Sequence, residues 1–173
     1  MRKITHQENV DRQEKKSKQP KLPFTIILNN IRSLHNVGSI FRTCDGAGVE
    51  KIWICGITGF PPSNQIAKTA LGAEDEVAWE YGADIISVIR QLRKKDYQIV
   101  VLEQTEQSVY HHVFKPKKPV CLIVGNEVEG VQQEVANLGD CSIEIEMAGI
   151  KNSLNVAVAF GVVAYHIRNQ LLS

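Results

Sequence analysis

Three polar clusters stand out in the sequence as places where chemistry could be done. The first is Asn29-Asn30 followed by His35-Asn36-Val37-Gly38-Ser39-Ile40-Phe41-Arg42. The second runs from Leu122 through Gly125-Asn126-Glu127-Val128-Glu129 to Gly130. The third runs from Ile145 through Met147, Gly149 and Asn152-Ser153-Leu154 to Asn155. Each begins where an apolar run ends and leads toward a helical pattern, which is where open α/β sheets bind ligands. The second cluster has the turn glycines of a nucleotide loop, but its two carboxylates would repel a pyrophosphate. Neither GxGxxG nor a Gly-rich loop ending in Lys-Ser or Lys-Thr is present. Simpler roles stand beside the chemical ones. Asn36 could be an N-cap, Arg42 could pair with Asp45 at i,i+3, and Asn152 or Ser153 could cap the last helix. Asn155 would then lie inside the first turn, where an asparagine is a poor helix former and needs another reason to be there.

A loop with carboxylates and no phosphate cradle suits a ligand that has ribose hydroxyls, a cationic centre and no phosphate; S-adenosyl-L-methionine (AdoMet) is one. No histidine accompanies Ser153 at a recognisable triad spacing, so a hydrolase is disfavoured. The four cysteines share no CxxC spacing and read as reduced structural thiols. The histidines at 6, 35, 111, 112 and 166 show no zinc spacing, so no metal site is expected.

The elements that must position these clusters can be read from Phe24 onward. Short β-branched apolar runs are expected as strands at Phe24–Leu28, Lys51–Cys55, Val77–Glu80, Gln98–Leu102, Pro119–Val124 and Ser142–Glu146. Helices are expected over Val37–Ala47, Ala83–Lys95, a short stretch after Gly130, and Ser153–Leu171. In the last, Leu154, Val158, Gly161, Val162 and Tyr165 share a stripe that is expected to be core. Gly46-Ala47-Gly48 reads as a helix stop and Gly56–Ser63 as a surface loop. The alternation predicts an α/β fold, a mostly parallel sheet with helices on both faces.

The 173 residues suffice for one sizeable core, and 43% apolar and 23% charged residues are ordinary for globular proteins. The longest apolar run, Val156 to Tyr165, is about half of what a bilayer span needs. With no apolar leader in residues 1–21, a cytoplasmic protein without membrane contact is expected. The net charge of +1 hides an asymmetry. Residues 1–21 hold seven basic and three acidic side chains, a net +4, which leaves −3 for the rest. Residues 1–22 are therefore expected as a flexible basic tail and 23–173 as the folded domain. Such an arm could rest on RNA phosphates or be solvated terminus.

In order and spacing, the three clusters resemble the motifs of the SpoU (TrmH-like) RNA 2'-O-ribose methyltransferases of the SPOUT superfamily, over about residues 24–171. Motif one corresponds to Asn36–Arg42 with Gly48, motif two to Leu122–Gly130 and motif three to Ile145–Val156; Lys68–Ala73 is similar to the family's middle segment. The resemblance implies AdoMet-dependent methylation of a ribose 2'-hydroxyl in tRNA or rRNA, a homodimer, and a C-terminal trefoil knot. It also implies a cofactor pocket from Leu102, Glu103, Gly125, Ile145, Met147 and Leu154, and a reactive set of Asn36, Arg42, Glu127, Ser153 and Asn155. Arg42 is implied to face the partner subunit's active site. One departure stands out. Glu146 occupies a position where the family usually has proline, which should leave the loop more mobile and weaken cofactor binding.

Two other functional classes compete with this reading. A catalytically silent RNA-binding or assembly factor with the same fold would show no saturable AdoMet binding by calorimetry, and the presence of Arg42, Glu127, Ser153 and Asn155 argues against it. A nicotinamide-dependent oxidoreductase would respond to NAD, and the missing fingerprint argues against that.

Overall fold

Strands that are apolar along their whole length have to be covered on both faces, and the computed structural model of the chain, which describes residues 1–17, 20–117 and 119–173, meets that demand. The strands are β1 (Leu22–Asn29), β2 (Val49–Cys55), β3 (Trp79–Gly82), β4 (Gln98–Leu102), β5 (Val109–Tyr110), β6 (Val120–Val124) and β7 (Cys141–Glu144). The helices are α1 (His6–Ser17), α2 (Leu34–Ala47), α3 (Asn64–Ala70), α4 (Ala73–Glu76), α5 (Ile85–Arg93), α6 (Gln133–Ala136) and α7 (Val156–Leu172). The seven strands form one sheet in the order β3-β2-β1-β6-β4-β7-β5, and every pairing is parallel. Helices lie on both faces, as the alternation predicts.

Odd and even residues of each strand feed two separate cores. Phe24, Ile26 and Leu28 of β1 pack with Phe41 of α2, Ile66 of α3 and Phe160 and Val163 of α7. Ile27 of the same strand packs on the opposite face with Val88, Ile89 and Leu92 of α5 and Val135 of α6. Every residue of β6 is buried, in keeping with its place between β1 and β4.

Several expectations change. The last helix begins at Val156, not Ser153, because Asn155 itself is the N-cap, its Oδ1 accepting from the Ala157 and Val158 amides. Asn155 is therefore not inside the first turn, and neither Asn152 nor Ser153 caps the helix. The stripe expected as core is exposed: Leu154 is 39% accessible, Val158 54% and Tyr165 47%. The buried face of α7 is Phe160, Val163, Ala164, Ile167 and Leu171. Asn36 is no cap either. Ser33 caps α2, accepting from the Asn36 amide, and Gly48 closes it in the left-handed conformation with φ 73°, the stop read from the sequence.

The strand expected at Val77–Glu80 runs from Trp79 to Gly82, and the one expected at Ser142–Glu146 runs from Cys141 to Glu144. Two short helices, α3 and α4, and the two-residue β5 had no clear sequence signal. Residues 6–17, within the segment expected as a flexible tail, form α1. Lys18 of that tail lies outside the described residues. No helix of the described residues is long and apolar enough to cross a membrane, and no group of their His, Cys, Asp and Glu side chains is placed to hold a metal ion.

Candidate active site

Parallel strands end together, so the loops that follow β1, β4, β6 and β7 emerge at one edge of the sheet, and the three polar clusters lie on three of them. The loop after β6 is folded back on itself. Asn126 and Gly130 exchange backbone hydrogen bonds of 3.0 Å each, while Asn126 Oδ1 accepts from the Val128 and Glu129 amides. Gly125 permits this closure, because a Cβ there would strike the Gly130 and Val131 backbone. Glu103, at the end of β4, latches the loop from outside by accepting from the Val131 amide at 2.8 Å. Asn126 Nδ2 fastens it to the loop after β1 by donating to Asn30 O at 2.9 Å.

The loop so held presents Glu127 to the start of α2. Its carboxylate accepts from the Arg32 amide at 2.9 Å, the Ser33 amide at 3.0 Å and Asn36 Nδ2 at 2.9 Å. A carboxylate on the free amides of a helix N-terminus is favourably placed. Burial pushes the Glu127 carboxyl up, but these donors outweigh it and hold its pKa below the ordinary value. Asn36 continues the chain, because its Oδ1 accepts from Asn155 Nδ2 at 3.1 Å. Three of the five residues expected to react, one from each motif, are thus joined in a single hydrogen-bonded row, Asn155 to Asn36 to Glu127.

Ser153 lies beside this row, in the wall of a cavity of about 360 Å³. All six residues expected to hold the cofactor, Leu102, Glu103, Gly125, Ile145, Met147 and Leu154, line the same cavity, as do Glu127 and Glu144. No Lys or Arg lines it. Arg42 stands apart. Asp45, its expected mate, is 3.9 Å from Lys21 instead, and the exposed Arg42 guanidinium has no hydrogen bond or ion pair among the described residues. The cysteines offer no nucleophile, since burial pushes all four thiols up, Cys55 to about 12.

With this geometry, the sequence matches the profile of the SpoU rRNA Methylase family over residues 23–165. The chain belongs to that family. It is 30% identical over 145 residues to a tRNA (guanosine(18)-2'-O)-methyltransferase of Aquifex aeolicus, covering 84% of this chain and 68% of the relative. Among solved structures it superposes on a TrmH/SpoU tRNA modifying enzyme of A. aeolicus with a TM-score of 0.82 at 27% identity, covering 95% of this chain and 83% of the other. It also superposes on an AdoMet-bound rRNA methyltransferase of Sinorhizobium meliloti with a TM-score of 0.81 at 30% identity, covering 90% and 59%.

The SpoU motifs account for side chains in the row and the cavity, but not for what holds them. Gln104 donates to Asn152 O at 2.6 Å and so ties the loop bearing Ser153 to the end of β4. Gln104 lies two residues after a predicted strand, which was its available signal, while Asn126 already stands within the second motif. The Arg32 and Ser33 amides carried none, because any residue supplies a backbone N–H.

Proposed function

We propose that this SpoU-family chain uses AdoMet to methylate the ribose 2'-hydroxyl of a nucleotide in tRNA or rRNA, and that it works as a homodimer. The observation that carries the reading is the row Asn155–Asn36–Glu127 beside a cavity that has carboxylates but no Lys or Arg in its walls. Such walls disfavour a phosphorylated cofactor and favour a cationic one. AdoMet supplies an electrophilic methyl group on a sulfonium centre. Leu102, Ile145, Met147 and Leu154 offer it apolar walls, and the backbone around Gly125 offers polar groups for its ribose and base. Ser153, whose hydroxyl has no partner among the described residues, is available to hold the ribose 2'-oxygen. Asn36 and Asn155 fix the edge of the site, and Glu127 holds Asn36. Positioning then carries much of the rate.

The exposed stripe on α7 supports the homodimer. Val158, Val162 and Tyr165 present apolar surface to water, and α7 crosses α2 with Tyr165 against Gly46 and Gly161 against Thr43. Arg42 and Thr43 adjoin on α2, so a partner seated on this stripe would meet the free guanidinium. Arg42, with its forked guanidinium donors, suits binding an RNA phosphate or an emerging alkoxide in the partner's site. We also assign the family's trefoil knot to the C-terminal part, in keeping with the insertion of β6 between β1 and β4. The reaction belongs in the cytoplasm, with residues 1–21 as an accessory arm, since Leu22 of the expected tail opens β1.

Comparing 2'-O-methyl sites in total RNA from a deletion strain with those of its parent tests the reading. One site should vanish in the deletion strain and return with the purified enzyme and AdoMet, and an unchanged map would refute it. The dimer has its own test. Arg42→Ala and Glu127→Gln are each expected to be inactive, yet co-expressed they should recover about a quarter of wild-type activity, because half the dimers carry one intact composite site. No recovery would put Arg42 in its own subunit's site.

A further inference from the structure

The loop after β2 carries Phe60 over the edge strand β3. Its ring centroid is 5.2 Å from that of Tyr81, at an interplanar angle of 44°, and 5.8 Å from that of Trp79, at 31°. Phe60 is 45% exposed and Tyr81 44%, although Phe24, Phe41 and Phe160 are fully buried. Neither pair is stacked flat, so ring faces remain open to water, and contiguous exposed apolar surface of this kind marks interaction sites. The patch is held in place, because the Tyr81 hydroxyl donates to Gly56 O at 3.2 Å.

The same loop is tied to the candidate active site. The Ile31 amide donates to Thr58 Oγ1 at 2.9 Å, and Gly59 lies against Leu34, the first residue of α2. Arg32 and Ser33, between those two anchors, are the residues whose amides hold Glu127. The Phe60 loop therefore touches, through Gly59 and Leu34, the helix that carries Asn36.

We propose that Phe60 and Tyr81 form a stacking seat for an unpaired nucleobase of the substrate RNA, a few nucleotides from the ribose that is methylated. This rests on the reading of the chain as an RNA methyltransferase. Unpaired RNA bases are recognised by stacking on exposed aromatic side chains, and every base has a face to offer. The local charge specifies a base over a phosphate backbone. Asp75 and Glu76 of α4 are exposed next to the rings, while Glu80 of β3 is paired with Lys51 at 2.6 Å, and a duplex would bring two phosphate chains toward the acids of α4. A single strand can turn one base onto the rings and keep its phosphates on the side of Arg32 and His35, both exposed.

Binding of fluorescein-labelled short oligoadenylate to the full chain with AdoMet, followed by anisotropy, tests the seat. Phe60→Leu with Tyr81→Leu should weaken binding about tenfold or more, the effect expected for losing a stacked base. Phe60→Trp should bind as the wild type does, and the oligonucleotide annealed to its complement should compete poorly. AdoMet affinity and elution size should stay constant across the variants. Trp79 adds a second readout, since the other tryptophan, Trp53, is buried; its emission should change with the single strand. Equal affinity of the wild type and the double variant overturns the seat alone. A smaller elution size for the variant makes the patch a contact between copies of the chain, which also overturns it. A wild type that binds AdoMet but no RNA overturns the RNA reading and the seat with it.

Discussion

Asn155 serves α7 and the candidate active site with the two ends of one amide. Its Oδ1 accepts from the Ala157 and Val158 amides, and its Nδ2 donates to Asn36. The two jobs can be separated. Asn155→Asp keeps the capping oxygen and adds a charge that a helix N-terminus favours, but it loses the donor. It should melt within a degree or two of the wild type while methyl transfer falls about tenfold or more. Asn155→Ala should lose the activity and also about 1 kcal/mol of stability, the usual cost of a lost cap. Thermal melts beside single-turnover rates check both, and an active Asn155→Asp enzyme would make Asn155 a cap only. Glu127 adds a pH signature. Its pKa is lowered in the fold, so its contribution to stability is present above the ordinary carboxylate value and is lost as pH falls through the lowered one. Urea unfolding of Glu127→Gln from neutral pH to pH ~3 should therefore show a shallower acid limb than the wild type. Asn155 stood out in the sequence because it was expected inside a first turn, where asparagine is a poor helix former, although it proves to be the cap itself; Glu127 came with the family resemblance. Their partnership was not legible, since the contacts Asn36–Glu127 and Asn36–Asn155 span 91 and 119 residues.

At the scale of elements, α7 shows where periodicity runs out. The helix is apolar almost all round, with one stripe through Phe160, Val163 and Ile167 and another through Val158, Val162 and Tyr165. Helical spacing fits both stripes, and only packing against β1 and α2 decides which one faces inward. That is why the expected core stripe proved to be the exposed one. The same limit hid α3 and α4, which hold seven and four residues, too few for a period to register. The strands fared better. β4 was placed at its observed bounds, because the β-branched run Ile99–Val101, buried and flanked by Gln98 and Leu102, has few other readings. Placing charge on the exposed stripe separates its role from folding. Val158→Asp with Val162→Asp should leave the melting temperature of the subunit nearly unchanged, yet shift sedimentation from dimer to monomer and abolish methyl transfer. A charged variant that stays dimeric would move the interface elsewhere.

At the scale of the whole molecule, charge is divided as the chain is: a net +4 in residues 1–21 and −3 in the remainder. The folded part approaches RNA with little net attraction, and its cavity walls are acidic. On the proposed reading, binding a polyanion would draw on local cations such as Arg32 and Arg42, on stacking, and on the basic arm. Within the arm, α1 is largely exposed, and its Glu8 pairs with Arg2 just ahead of the helix at 2.7 Å. It has no hydrophobic face in either core. Removing residues 1–20 should thus leave the melting temperature and AdoMet affinity unchanged. RNA affinity should fall at low salt, and the slope of log affinity against log salt should become less steep by about two to four, in proportion to the lost phosphate contacts. Titrations of wild type and truncation at several salt concentrations measure that slope directly. If the slopes coincide, the arm does not touch RNA, and the phosphate contacts must come from the folded body, where Arg42 is the first residue to examine.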